Sequence, residues 1–214
     1  DAFMILSRII SSFHNDKGEL LIEGITPTEQ DVFELSDEFV KSSLSSTGVN
    51  LFEMDSYSKR LWLEPALSIL AIDAPPVAES VNLLIPKAKA KVSLRLPPTE
   101  DPDHAMNMLE QHIKENTPFN ANVEFIPEAK GKGILVDPKN EFSSKLIESF
   151  NKHWENEVAY MGVGGSIPFA NVFINEFPNS EIVLVGAGDE EGNAHAPNES
   201  VNLNDIQRLI DSLT

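Results

Sequence analysis

The segment from Ala88 to Leu96 constrains the fold most tightly. In it Lys89, Lys91, Ser93 and Arg95 alternate with Ala90, Val92, Leu94 and Leu96. A period of two sends neighbouring side chains to opposite faces of a strand, one apolar and one wet. A sheet containing such a strand has one face in water and needs helices over the other. The flanking sequence supplies them. Residues 2–14 predict a helix with Phe3, Leu6, Ile10 and Phe13 on one face and Ile5 and Ile9 beside them. Asp101-Pro102-Asp103 predicts the start of another, running to about Glu115, with Ala105, Met108, Leu109 and His112 or Ile113 inward.

Further elements follow from local signals. Asn15 to Gly18 is a turn, and strands are expected at 19–22, 66–72 and 121–126. Thr26-Pro27-Thr28-Glu29 has the pattern of a capping box, so a helix is expected from there to about Ser45. A shorter helix is expected near Ser58 to Leu63, ending before Pro65. This first part reads as a two-layer α+β domain. The character changes near Gly131-Lys132-Gly133, and the boundary is placed at residue 133. Beyond it come a helix at about 140–156, a glycine-rich turn at 162–165 and a helix from Ser166. An all-apolar run at 182–185 reads as a strand buried on both faces, and a last helix opens at Asn202 or Asn204. Residues 134–214 have too few strands to close a sheet of their own, so they are expected to be poorly stable alone or packed against a neighbour.

Composition removes several function classes. There are no cysteines, which excludes disulfides, thiolate metal sites and cysteine nucleophiles. The net charge of −18 repels phosphate, and no basic stripe offsets it, so nucleic acid is not an expected partner. No run approaches the roughly 20 apolar residues that span a bilayer, so neither is a membrane. The chain opens on Asp1 without an initiating Met or a basic leader region, and reads as neither a secretory signal nor a natural start. A cytoplasmic location is the simplest expectation.

Three places could carry chemistry. Gly164-Gly165-Ser166-Ile167-Pro168 combines close backbone approach with a helix start, where exposed N–H groups and the helix dipole attract a carboxylate. A plain helix cap after a tight turn accounts for the same residues. His195 lies in a polar loop after the 182–185 run, where α/β proteins place ligands, but one histidine is not a metal site. Arg95, on the polar face of the 88–96 strand, can hold a carboxylate through two parallel hydrogen bonds or pair with one of many surface acids. Asn82, before that strand, is equally open to both readings. Of the other histidines, His104 and His112 are too far apart on one helix to share a metal. His14 is expected at a helix end and His153 in packing beside Trp154. P-loop, dinucleotide-binding and nucleophile-elbow patterns are absent.

Taken together, four stretches carry a resemblance: DAFMILSRIISSFHNDKGELLIEGI, the segment from SKRLWLEPALSILAI to LRLPPTEDPDHAM, YMGVGGSIPF and NAHAPNE. In this order the chain resembles the zinc metallopeptidases that include carnosinases, aminoacylases and succinyl-diaminopimelate desuccinylase, and most nearly their cytosolic dipeptidase branch. The resemblance implies a ferredoxin-like two-layer lid at 1–133, lacking its first strand, and a C-terminal segment of an α/β catalytic domain at 134–214. It implies two divalent metals, expected to be zinc, and a homodimer formed through the lid. The implied substrate is a dipeptide or N-acyl amino acid.

By motif match, His195 would be a metal ligand, and Gly164, Gly165 and Ser166 would bind the substrate carboxylate. Arg95 would reach the substrate from the lid, with Asn82 at the dimer cleft. The remaining ligands and the general base lie upstream of the lid in that family, so this polypeptide alone is expected to be inactive. Gly162-Val163 stands where some relatives carry Arg-Glu. The competing expectation is a stand-alone ferredoxin-like module that binds a small molecule or dimerises.

Overall fold

The computed structural model describes residues 1–44, 48, 54–135, 140–162, 170, 172–173, 176–177, 180–189, 192–194 and 196–214. The chain divides into two compact units, Asp1–Ile134 with Met161–Ser166, and Leu135–Tyr160 with Ile167–Thr214.

The first unit is α+β. Its sheet, among the described residues, is the antiparallel pair β1 (Ala66–Asp73) and β2 (Lys89–Arg95). Helix α1 (Ala2–Ser11) starts where the Asp1 carboxylate accepts the N–H groups of Phe3 and Met4, at 2.9 and 3.1 Å. Helices α2 (Asp37–Leu44) and α3 (Tyr57–Trp62) follow. Helix α4 (Pro102–Glu115) is capped by Asp101, which accepts from Asp103 and His104, and has proline in its first turn as anticipated.

The core joins these elements. Ile9 and Phe13 from the α1 region, Leu67 from β1, and Ala105, Leu109 and Ile113 from α4 form one buried cluster with Ile22 and Ile25. The α4 residues recur every fourth position, which puts them on one helix face. Val92, Leu94 and Leu96 pack against the cluster from the sheet, as the alternation requires. The register of the ladder slips once. Ala66 to Ile69 pair with Arg95 to Val92, then Ala71 to Asp73 pair with Lys91 to Lys89, and Leu70 is left over as a bulge.

Four expected elements take another form. The Thr26–Glu29 segment does not open a helix, because Thr28 is buried and committed elsewhere. Its N–H donates to the Leu63 carbonyl at 2.9 Å, and its hydroxyl meets that of Thr99 at 2.8 Å. The helix begins at Asp37, where the Ser36 hydroxyl accepts the Phe39 N–H. Residues 19–22 reduce to a single bridge between His14 and Leu20. Residues 121–126 follow an irregular path that sends Phe125 toward the core and leaves Ile126 exposed.

The fourth lies in the second unit. Residues 182–185 are irregular, with Val183, Leu184 and Val185 37%, 58% and 46% exposed. A strand apolar on both faces needs neighbours on both sides, and no described residue pairs with this run. The unit is organised instead by α5 (Glu141–His153) and α6 (Leu203–Leu213), capped by Asn140 and Asn202. The Trp154 indole N–H donates to Ser212 Oγ at 3.2 Å, Ser149 Oγ donates to the Ser212 carbonyl at 2.8 Å, and the Arg208 guanidinium lies over the Trp154 ring. The helix expected from Ser166 begins outside the described residues.

Candidate functional site

Arg95 ends β2 opposite Ala66, on the exposed face of the sheet. Two positions along the same face, Lys91 is bound to Glu128 at 2.6 Å, and that hydrogen bond holds the Glu128 carboxyl below its ordinary range. Arg95 makes no ion pair or hydrogen bond among the described residues. In a chain with 34 acidic against 16 basic residues, an exposed guanidinium left unpaired is available for an anion from outside.

Asn82 sits in the connection from β1 to β2. The Leu83 N–H donates to the Val81 carbonyl at 2.7 Å, so Asn82 is the middle residue of a three-residue turn. The turn is exposed and apolar on either side, with Val81 71%, Leu83 78% and Leu84 77% exposed. The connection joins the Asp73/Lys89 end of the ladder and Arg95 lies at the Ala66 end. Strand rise separates the two ends of β2 by about 20 Å. The ladder therefore does not bring Asn82 and Arg95 together within one chain.

Gly164, Gly165, Ser166 and His195 lie outside the described residues. On one side of the glycine segment, Gly162 packs against Trp62. Around the histidine position, the Ser200 N–H donates to the Gly192 carbonyl and the Ala196 N–H to the Asn193 carbonyl, both at 2.9 Å. Asn193 and Asn198 both adopt left-handed backbone, which asparagine tolerates better than most residues.

No three His, Asp or Glu side chains among the described residues are grouped so as to hold a metal ion. The donors described here do not make up a metal site, and no chemical step is derived through one.

The remaining histidines have structural partners. His112 stacks on Phe13 with ring centroids 5.5 Å apart, and its Nε2 is 3.0 Å from the Ser12 hydroxyl. His104 Nδ1 is 2.7 Å from the buried Glu100 carboxylate. His153 Nδ1 lies 2.9 Å from the Ser149 carbonyl. His14 differs from expectation. The helix stops at Ser11, and burial, reinforced by the charge of Arg60, lowers the His14 pKa, so its site disfavours a cation. Trp62 was not singled out from the sequence, since no local pattern links positions 62 and 162.

Comparison with known proteins places these observations in a family. The peptidase dimerisation domain of the M20 group matches residues 1–121. The cysteinylglycine-S-conjugate dipeptidase of Corynebacterium striatum is 28% identical, over 98% of this chain and 47% of that protein. The same fold is seen in the di-peptidase Dug1p of Saccharomyces cerevisiae, with TM-score 0.76 and 20% identity over 99% of this chain and 47% of that one. It is seen too in human carnosine dipeptidase 1, with TM-score 0.74 and 20% identity over 98% and 48%. The M20 metallo-carboxypeptidase Sso-CP2 of Sulfolobus solfataricus gives TM-score 0.73 and 22% identity over 98% and 50%. The chain thus spans about half the length of the relatives it matches. No helix among the described residues is long and apolar enough to cross a membrane. With its first 121 residues matched in order, the chain belongs to the M20 peptidase dimerisation domain family.

Proposed function

We propose that these 214 residues are the part of a metallo-dipeptidase that carries its dimerisation domain, and that the whole protein hydrolyses dipeptides or related N-acyl amino acids. The observation that carries this reading is the match to a dipeptidase along 98% of this chain but only 47% of the relative. In this reading residues 1–133 are a ferredoxin-like lid and residues 134–214 belong to the catalytic domain. The protein is a cytoplasmic homodimer joined through the lid.

The roles proposed for individual residues follow their chemistry. Arg95 is an unpaired guanidinium on an exposed strand face, suited to a substrate carboxylate. Gly164, Gly165 and Ser166 offer backbone N–H groups to the same kind of anion. Asn82 meets the substrate across the dimer cleft. His195 gives one imidazole to a centre of two divalent ions, expected to be zinc, whose other donors come from polypeptide outside these residues. When bound, such ions polarise a carbonyl and activate water. The 214 residues alone are inactive.

The test begins with the intact mass of the protein made by its native cell. A mass near twice 23.6 kDa, with dipeptide hydrolysis that needs metal, is the expected result. His195→Ala in that protein should lower bound metal, and Arg95→Ala should raise the Michaelis constant for dipeptides while leaving the fold intact. A native mass equal to this chain's, or turnover by these residues alone, would overturn the reading.

A further inference from the structure

Next to Arg95 on the wet face of β2 is Ser93, and the ladder sets Ser93 directly opposite Ser68 of β1. Both serines are exposed. Directly opposed residues on one sheet face have Cβ atoms about 5 Å apart, close enough for two hydroxyls to bond each other. These two do not, and neither hydroxyl has another partner among the described residues. Serines elsewhere in the unit use theirs locally. Ser7 and Ser12 donate to the carbonyls of Phe3 and Ile9 at 2.8 and 2.7 Å, and Ser56 donates to the Glu34 carboxylate.

The sheet gains little from serine at these positions. Strands favour β-branched and aromatic side chains, and a pair of those would add cross-strand contact. The pair also borders an irregularity. The next pair along the ladder is Ile69 with Val92, and the bulge at Leu70 comes directly after it. Bulges re-aim side chains and are over-represented beside active sites. Beyond the bulge the same face carries the Lys91–Glu128 ion pair. On the other side Arg95 stands opposite Ala66, whose methyl group leaves the guanidinium room to lean over Ser93.

We propose that Ser93 and Ser68 are substrate-binding residues that complete the hydrogen-bond shell of the carboxylate held by Arg95. The inference rests on the carboxylate-binding role proposed above for Arg95. An ionised carboxylate has roughly four acceptor positions, and a guanidinium fork fills two of them. Ser93 lies about 7 Å from Arg95 along the strand, within reach of an arginine side chain folded back over it. Two hydroxyl donors there supply the remaining positions. A neutral amide at the same end of the substrate would bring N–H groups for which the guanidinium has no acceptor. The arrangement therefore selects a free C-terminal carboxylate over its amide.

Steady-state kinetics on the whole protein, as its native cell makes it, tests the assignment. Glycylglycine is the substrate and glycylglycinamide its control, with circular dichroism to establish that each variant is folded. Ser93→Ala should raise the Michaelis constant for glycylglycine about fivefold and Ser68→Ala about twofold, with kcat little changed. Ser93→Thr keeps the hydroxyl and should restore the value. In an Arg95→Ala background Ser93→Ala should add almost nothing, because the two side chains act on one group. Turnover of glycylglycinamide should be indifferent to Ser93→Ala. A folded Ser93→Ala enzyme with an unchanged Michaelis constant, while Arg95→Ala still raises it, would overturn the serine role and leave Arg95 in place. A Ser93→Thr enzyme as impaired as Ser93→Ala would also overturn it, by tracing the effect to shape. Michaelis constants that neither Arg95→Ala nor Ser93→Ala moves would put the carboxylate elsewhere and overturn both readings. A protein that hydrolyses no dipeptide would remove the proposed function and this inference with it.

Discussion

At the scale of single residues, His14 shows how burial can reverse what position suggests. A histidine just past a helix would ordinarily be favoured as a cation. Here burial and Arg60 lower its pKa from the ordinary 6.5, so the folded chain binds that proton less readily than the unfolded chain. The linked stability is present above 6.5 and is lost as pH falls through the lower folded value. The urea midpoint should therefore drop between about pH 7 and pH 5.5. His14→Asn should flatten that slope, and an equal slope in the variant would remove His14 as its source. Arg60 is the cation facing His14, and Glu64 holds Arg60 at 2.7 Å. Such an outcome is invisible in the sequence, where positions 14 and 60 have no local relation. Arg95 is the opposite case. Its place on the wet face was legible from alternation alone, but its lack of a partner was not, since that depends on where every acid lies.

At the scale of elements, legibility tracks how local the deciding forces are. α4 was readable because its cap, its first-turn proline and its apolar spacing all lie within 15 residues. β2 was readable because alternation is a local property. The Thr26–Glu29 segment misled because Thr28 bonds to Thr99, 71 positions away, and a long-range partner overrides a local cap pattern. The runs at 121–126 and 182–185 misled for a related reason: strands need partners, and propensity does not supply them. The core packing of α4 gives a direct check. Leu109 is 4% exposed within the central cluster, so Leu109→Ala should cost about 2–5 kcal/mol in chemical denaturation. A loss below about 1 kcal/mol would mean that the α1–sheet–α4 core is not the main source of stability.

At the scale of the whole molecule, the exposed apolar surface is uneven. Val77, Val81, Leu83 and Leu84 all lie in the β1–β2 connection, and each is more than 70% exposed. A cluster of this kind is costly in water and marks a surface that another chain can cover. In the proposed homodimer the covering chain is a second copy. Leu83→Asp with Leu84→Asp should then shift the species seen by light scattering from dimer to monomer, with the circular dichroism of the first unit unchanged. A dimer that survives both changes would place the interface elsewhere. The family could be recognised from motifs in order along the chain, whereas the site could not be assembled. His195 and Gly164 to Ser166 lie outside the described residues, and Arg95 is at the Ala66 end of the ladder while Asn82 lies in the connection that joins its other end.

The bulge at Leu70 also bears on how this domain can change length over generations. All pairs before it and all pairs after it are internally regular, and the two sets differ by a single step. Loss of the codon for Leu70 would bring the seven pairs into one uninterrupted register, while an added residue anywhere else in β1 would turn part of the strand inside out. The bulge is therefore the point in β1 where an insertion or deletion is least damaging, and homologues that differ in the length of this strand are expected to differ there.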